Sequence, residues 1–233
     1  MKIMTFNTQH CLNYKEQKLD MTIMAETIRT CGADIVALNE MRDAGPYGPQ
    51  TEMLAKETGL SHHYFAEAIA DDEGPYGNGL VSRYPIVCAK TIPVPDPEPR
   101  RFPNGYYETR CLLKARLANG LTVLVIHFGL NSDEQENAVK TILAHATEEK
   151  CILMGDFNVT PDDPVLSPIR AKMRDAAELF GEPLLSFPSD EPTIKIDYVF
   201  VTPDIEIVSA DIPAIVASDH RPHVAEICVE EEV

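Results

Sequence analysis

Asn7, Glu40, His127, Asp156, Asn158, Asp197 and the pair Asp219–His220 are the residues of this chain whose types and spacing could do chemistry together. Most of them end an apolar run: IMTFN, DIVALNE, TVLVIH, CILMGDFN, IKID and ASDH. Apolar runs of that length read as buried strands. A carboxylate or imidazole buried without a partner costs on the order of several kcal/mol. Polar groups at strand ends escape that cost by meeting one another, a cation or water. The pattern therefore predicts one convergent site at one edge of a sheet core.

Glu40 and Asp156 are hard oxygen donors of the kind that suits Mg²⁺, an ion that keeps several waters and takes only one or two protein carboxylates. Asn7 and Asn158 can donate to an oxyanion or hold a nucleophilic water without adding charge. His220, preceded by a carboxylate, is the candidate for acid–base work near neutral pH. Asp197 could accept its N–H and fix its orientation, and His127 could place a second positive charge on a phosphoryl oxygen. Together they read as metal-assisted hydrolysis of a phosphate ester. Taken singly, each has a plainer reading. Asn7 would be a turn residue, Glu40 a surface residue, GDFN an Asx turn, His127 a core histidine and Asp219 a cap. The set in this order is what is specific.

Two stretches share the plan that must position these groups. In the first, strand KIMTF leads to a helix from about Asp20 to Cys31, then to strand DIVAL ending at Glu40. In the second, strand LTVLVIHF leads to a helix from about Asp133 to Thr147, then to strand CILM ending at Asp156. Ile23, Met24, Thr27, Ile28 and Cys31 share one face of the first helix, and Gly32 stops it. Ala138, Val139, Ile142, Leu143 and Ala146 share one face of the second, with Ser132 and Gln135 at capping-box spacing. Further strands are expected near residues 63–68, 79–82, 86–92, 108–117, 195–201, 205–210 and 223–229. Two packed sheets flanked by helices, in one domain over residues 1–233, fit this order. Residues 43–50 and 71–79 read as loops, each with a GPYG motif, and residues 93–105 as a Pro-rich segment. The plainer reading of that segment is a stiff surface loop. The functional reading is a rim carrying Arg100, Arg101, Tyr106 and Tyr107 over the site.

The net charge of −17 over 233 residues argues against non-specific binding to nucleic acid or anionic membrane. It leaves room for a phosphate substrate, because a bound cation inverts the local field. A basic stretch exists in Arg100, Arg101, Arg110, Lys114 and Arg116, and the terminal EEEV reads as a solvated tail. No apolar run approaches a membrane span, and the chain enters its first strand with no signal-peptide h-region. The cysteines lack C-x-x-C spacing and several lie in apolar strands. Buried, reduced thiols in a cytoplasmic monomer are expected.

The motifs FN at 6–7, LNE at 38–40, GNGLVSRYPI at 77–86, IHF at 126–128, GDFN at 155–158, IDYVF at 196–200 and SDHRP at 218–222 resemble those of the endonuclease/exonuclease/phosphatase superfamily. The resemblance runs from Ile3 to about Ile227. It implies a four-layer α/β sandwich, two packed mixed sheets flanked by helices, with the site at one end of the sheets. It also implies roles. Glu40 resembles the principal metal ligand, Asn7 its neighbour in the metal and phosphate shell, and Asp219 a carboxylate near the metal. Asp156 and Asn158 resemble the pair that positions or deprotonates the attacking water, and either Asp156 or His220 could take its proton. Asp197 resembles the carboxylate that orients His220. His127 matches the histidine of the deoxyribonuclease and sphingomyelinase branches; apurinic endonucleases carry a tyrosine there, and an aspartate where this chain has Gln9. Arg110 resembles a phosphate-contacting arginine. Asn78, in GNGLVSRYPI, joins Arg110, Tyr106 and Arg101 as the expected substrate-binding set.

The function expected is therefore that of a Mg²⁺- or Mn²⁺-dependent phosphodiesterase or phosphatase acting on a small or lipid-derived phosphoester. A nuclease of the same superfamily is the alternative, disfavoured by the acidic surface, the absence of tryptophan and the lack of a basic groove-reading segment. A non-catalytic binding domain of the same fold would show loss of Glu40, Asp156 or His220, and all are present.

Overall fold

The computed structural model describes residues 1–102, 104–180 and 184–229, so Pro103 and the terminal EEEV lie outside the described residues. In chain order the strands are β1 (Lys2–Asn7), β2 (Leu12–Asn13), β3 (Lys18–Leu19), β4 (Ile35–Arg42), β5 (His62–Asp71), β6 (Gly74–Ser82), β7 (Ile86–Pro93), β8 (Cys111–Leu117), β9 (Thr122–His127), β10 (Cys151–Asp156), β11 (Arg174–Asp175), β12 (Asp197–Val201), β13 (Glu206–Asp211) and β14 (His223–Cys228). The α-helices are α1 (Met21–Cys31), α2 (Gln50–Thr58), α3 (Ser132–His145) and the short α4 (Ser167–Arg170).

The apolar runs that end in polar residues are central strands buried on both faces, β1 and β4 in one sheet and β9 and β10 in the other. One six-stranded sheet has the order β13-β14-β1-β4-β6-β5, the other β11-β12-β10-β9-β8-β7. Within them, β1 runs parallel to β4 and β9 parallel to β10, which are the two strand–helix–strand units expected. Ile3, Ala37, Leu80 and Ala225 of the first sheet pack against Leu113, Val125, Met154 and Val199 of the second. On the outer face of the first sheet, Met24, Ile28 and Leu54 from α1 and α2 cover Met4, Phe6, Val36 and Leu38. On the outer face of the second, Ala138, Val139 and Ile142 of α3 cover Leu124, Ile126 and Leu153. The result is the expected four-layer α/β sandwich. Each fully buried Leu, Ile or Phe contributes roughly 1.5–3 kcal/mol, so this three-part core can hold polar groups at its edge.

Local chemistry sets the helix ends. The Asp20 side chain accepts from the N–H groups of Thr22 and Ile23, and Gly32, at φ 67°, closes α1 in the left-handed region. The capping box of α3 is formed by Asn131 and Glu134, one residue before the Ser132–Gln135 pair expected. Both pairs have the spacing, but Asn131 is the last residue with extended backbone, so its side chain faces the free N–H groups. The second GPYG lies inside β6 rather than in a loop, and α2 was not anticipated. Cys11, Cys31, Cys111 and Cys151 are buried free thiols, whereas Cys88 on the edge strand β7 and Cys228 at the end of β14 are exposed, against the expectation of general burial.

Candidate active site

The C-terminal ends of the parallel pairs bring Asn7, Glu40, His127 and Asp156 to one edge, because β1 with β4 and β9 with β10 are in register there. Antiparallel β12 places Asp197 opposite Asp156. Two backbone features aim these groups. The register of β4 against β6 shifts between Leu38 and Met41, and Glu40 sits in that bulge at φ 59°. A bulge bends the strand and re-aims a side chain. Gly155, at φ 151°, lets β10 approach β9 so closely that a Cβ there would lie 1.8 Å from the Ile126 carbonyl oxygen.

Asp156 is the hub. Its Oδ2 accepts from Asn7 Nδ2 at 3.1 Å and lies 3.5 Å from His220 Nε2 and 3.6 Å from His127 Nε2. Its Oδ1 accepts from the Asn158 backbone N–H at 2.9 Å. Asn7 Nδ2 also donates to Glu40 Oε1 at 3.0 Å, so one carboxamide spans both unit-ending carboxylates. His220 Nδ1 is 2.8 Å from Asp197 Oδ2, and its ring packs on Phe187 at 4.8 Å. Arg110 meets His127 Nδ1 at 3.1 Å and forms a short ion pair with Glu108.

These contacts set the charges. Burial alone would push the His220 pKa down, but Asp197 and Asp156 outweigh it and raise it to about 10. Burial, against the pull of His220 and with a push from Asp197, raises Asp156 to about 7. Burial, Arg110 and His220 hold His127 well below its ordinary value. His127 is therefore neutral, and the second positive charge expected from it resides on Arg110 instead.

The site lines a cleft of about 490 Å³. Of the expected residues, Glu40, Tyr106, Arg110, His127, Asp156, Asn158, Asp219 and His220 line it. Asn7 and Asp197 lie directly behind, bonded to residues that do. Asn78 is buried beneath, accepting from Asn39 and donating to the Cys111 carbonyl. Arg101 is tied to Glu136 by two bonds and is not among the lining residues. The Pro-rich loop is pinned by Tyr107 to Asp133 at 2.8 Å and delivers Tyr106 to the cleft. His10, Arg42, Asp71, Tyr76, Glu108 and Phe187, with the apolar Ile69 and Leu130, complete the lining without having been expected. Asn39, also missed, ties the sheets together: its Oδ1 accepts from the Asp156 N–H and its Nδ2 donates to the Ile126 carbonyl.

The donor set fits a divalent cation. Glu40 and Asp219 present hard oxygens to one cleft, and Asn7 already orients Glu40. Asp156, Asp197 and His220 bring ligand-type atoms within 4.8 Å of one another, and Asp197 Oδ1 is buried without a hydrogen-bond partner. Arg110 Nε is likewise buried and unpartnered, a donor suited to an anion.

Comparison with known proteins bears on the fold. A sequence profile described as the Endonuclease/Exonuclease/phosphatase family matches residues 4–220. The uncharacterised protein YbhP of Escherichia coli is 25% identical over 256 residues, covering 97% of this chain and 95% of that protein. The crystal structure of an endonuclease/exonuclease/phosphatase from Beutenbergia cavernae superposes with a TM-score of 0.78 at 23% identity, covering 98% of this chain and 71% of that one. A mannosyl-6-phosphatase of Bacteroides thetaiotaomicron superposes with a TM-score of 0.76 at 14% identity, covering 98% of this chain and 99% of that one.

Proposed function

Because this chain belongs to the endonuclease/exonuclease/phosphatase family, we propose that it hydrolyses a phosphoester with a divalent cation, Mg²⁺ or Mn²⁺, and that its substrate is small or lipid-derived. The observation that carries the reading is the convergence of Asn7, His127 and His220 on one oxygen of Asp156, in a cleft that also holds Glu40 and Arg110.

In this reading Glu40, Asn7 and Asp219 would hold the cation, which when bound would supply charge neutralisation at the phosphoryl group and acidify a neighbouring water. Asp156, raised by burial to about 7, takes the proton of the attacking water, and Asn158 fixes the water's position. The new P–O bond forms as the ester P–O bond breaks, its electron pair leaving with the alcohol oxygen. His220, kept protonated by Asp197 and Asp156, and Arg110 stabilise the charge on the phosphoryl oxygens. His127 is a neutral spacer between Arg110 and Asn158. This assigns the base role to Asp156 and the electrostatic role to His220.

A small substrate is supported by charge. Asp71 and Glu108 line the cleft of a chain with net charge −17, a field that opposes a polyanionic strand. The reading takes the protein as a cytoplasmic monomer, consistent with its free cysteines. Among the described residues no helix is long and apolar enough to cross a membrane.

The test is a panel of plasmid DNA, bis-p-nitrophenyl phosphate, inositol phosphates and sphingomyelin with purified protein and Mg²⁺ or Mn²⁺. Turnover of a small or lipid phosphoester, lost on chelation and weakly dependent on ionic strength, is expected. Efficient plasmid cleavage abolished by Glu40→Gln would move the assignment to a nuclease. No turnover of any phosphoester would leave a binding domain.

A further inference from the structure

The motif GPYG occurs twice, at 45–48 and 74–77, and the two copies pack on each other. The Asp43 N–H donates to the Pro75 carbonyl at 3.2 Å, and Tyr47 donates to Glu73 at 3.1 Å. A Cβ at Gly45 would lie 2.8 Å from the Glu73 carbonyl oxygen, so the contact requires glycine there. The Arg42 guanidinium sits between the two tyrosines of the repeat, 5.6 Å from the Tyr47 ring centre and 4.9 Å from that of Tyr76. It donates to Asp71 at 2.6 Å, to the Gly74 carbonyl at 2.9 Å and to Glu73 at 3.4 Å. A guanidinium stacked on rings and bound to carboxylates acts as a strut and is committed within the wall.

His10 joins the same wall. Its ring meets both Tyr47 and Tyr76 edge-on, at 6.1 and 5.9 Å. It is reached through left-handed backbone at Gln9, His10 and Cys11, with φ of 47°, 53° and 60°. None of these is glycine, so the backbone is strained at each. Gln50 holds the turn through a 2.6 Å bond to the His10 carbonyl. Strain so held at a cleft points to a use for the side chain it presents.

His10, Arg42, Asp71 and Tyr76 line the same cleft as the Asp156 cluster, and Tyr106 and Glu108 line it too. Asp71 is held by Arg42 and Glu108 by Arg110, with 41% of the Asp71 side chain exposed. Ionised carboxylates only accept hydrogen bonds, so an anionic group meets repulsion here. A cationic group finds Asp71 and Glu108 already paired to Arg42 and Arg110. A hydroxyl-bearing, uncharged group meets carboxylate lone pairs, phenol hydroxyls and aromatic surface.

We propose that the paired GPYG loops build the subsite for the alcohol part of the substrate, with Arg42 as a positioning residue and Asp71 and Tyr76 as specificity-determining residues that admit uncharged polyol or sugar alcohols. The inference rests on the phosphoester-hydrolase reading and deepens it by naming the leaving-group class.

The test compares glycerol phosphate, phosphoglycerate and phosphocholine, which share a phosphoryl group and differ in the charge of the alcohol. Steady-state kinetics are run with Mg²⁺, and calorimetric binding is measured on the Asp156→Asn protein with Mn²⁺. Glycerol phosphate should be preferred over both others by about ten-fold or more in kcat/KM and in affinity, since a site built for hydroxyls leaves its partners unpaired with the wrong group. Asp71→Asn should collapse the preference over phosphoglycerate, mostly through KM, and Asp71→Glu should restore it. Arg42→Lys should weaken the preference in a protein whose circular dichroism is unchanged. Equal handling of the three compounds, a preference for a charged one, or a preference unmoved by Asp71→Asn overturns the proposal. Turnover without preference sinks the subsite alone. Preferential binding without turnover of any phosphoester sinks the hydrolase reading alone.

Discussion

The two strand–helix–strand units start from the same plan and end differently. The first ends at Glu40, in a bulge, with 21% of its side chain exposed. The second ends at Asp156, in unbroken register with β9 and β12, with 2% exposed. The first carboxylate faces a wet cleft mouth, where a cation can keep its waters. The second is dry, hemmed by His127, His220 and Asn7, where a proton is held rather than a hydrated ion. Two units of one plan that end differently thus present two carboxylates in different surroundings. What divides them is solvent, set by a bulge in one unit and a glycine in the other.

Changes at the two ends should therefore fail in different ways. The largest effect is expected for Asp156→Asn, which should lower turnover by about two to four powers of ten, the range for loss of a general base, with little change in substrate KM. Because burial raises the Asp156 pKa, the fold favours its neutral form and is opposed by the charge above that pKa. Asp156→Asn should consequently melt higher than wild type at pH above about 7 without cation. A lower melting temperature would contradict the dry-carboxylate picture. Glu40→Gln should lose turnover by about one to two powers of ten at limiting Mg²⁺ and recover part of it at saturating Mg²⁺, with stability nearly unchanged because the group is partly exposed.

A finer distinction lies in pH. Activity should rise as Asp156 deprotonates and fall as His220 loses its proton near 10. Bound cation should move the acid limb down. Asp197→Asn should move the alkaline limb toward neutrality, and an unmoved limb would remove Asp197 from the mechanism.

A separate effect concerns stability behind the second unit. His223 is buried, its ring nitrogen 3.2 Å from the Asp197 carbonyl, and burial and Lys195 lower its pKa to about 4. A depressed histidine pKa contributes stability that is present above the unfolded value and lost as pH falls from about 6.5 toward 4. The contribution is about 3 kcal/mol. Denaturant titrations at both pH values should show that loss, and His223→Gln should flatten it.

Much of this was legible in the sequence for a physical reason: continuous apolar runs that read as buried strands and helices with period 3.6 are local signals. The polar ends of doubly buried strands had to meet at one edge. What was not legible depends on contacts far apart in sequence. The neutrality of His127 comes from burial and from Arg110 and His220. Asn39 sits beside Glu40, but its partners are the Asp156 N–H and the Ile126 carbonyl in the other sheet. Tyr76 reads as a loop residue and Arg42 as one just past a strand, and their pairing arises only when the two GPYG segments pack together. The cap at Asn131 was missed by one position because two overlapping pairs share the spacing and only the backbone turn selects between them.

The division of labour between the two carboxylates is tested most directly by calorimetric titration of Mg²⁺ into wild type, Glu40→Gln and Asp156→Asn. The account predicts that Glu40→Gln weakens cation affinity by about ten-fold or more, as expected for loss of a direct hard-oxygen ligand, and that Asp156→Asn weakens it far less. Equal losses in the two variants, or a larger loss in Asp156→Asn, would contradict it.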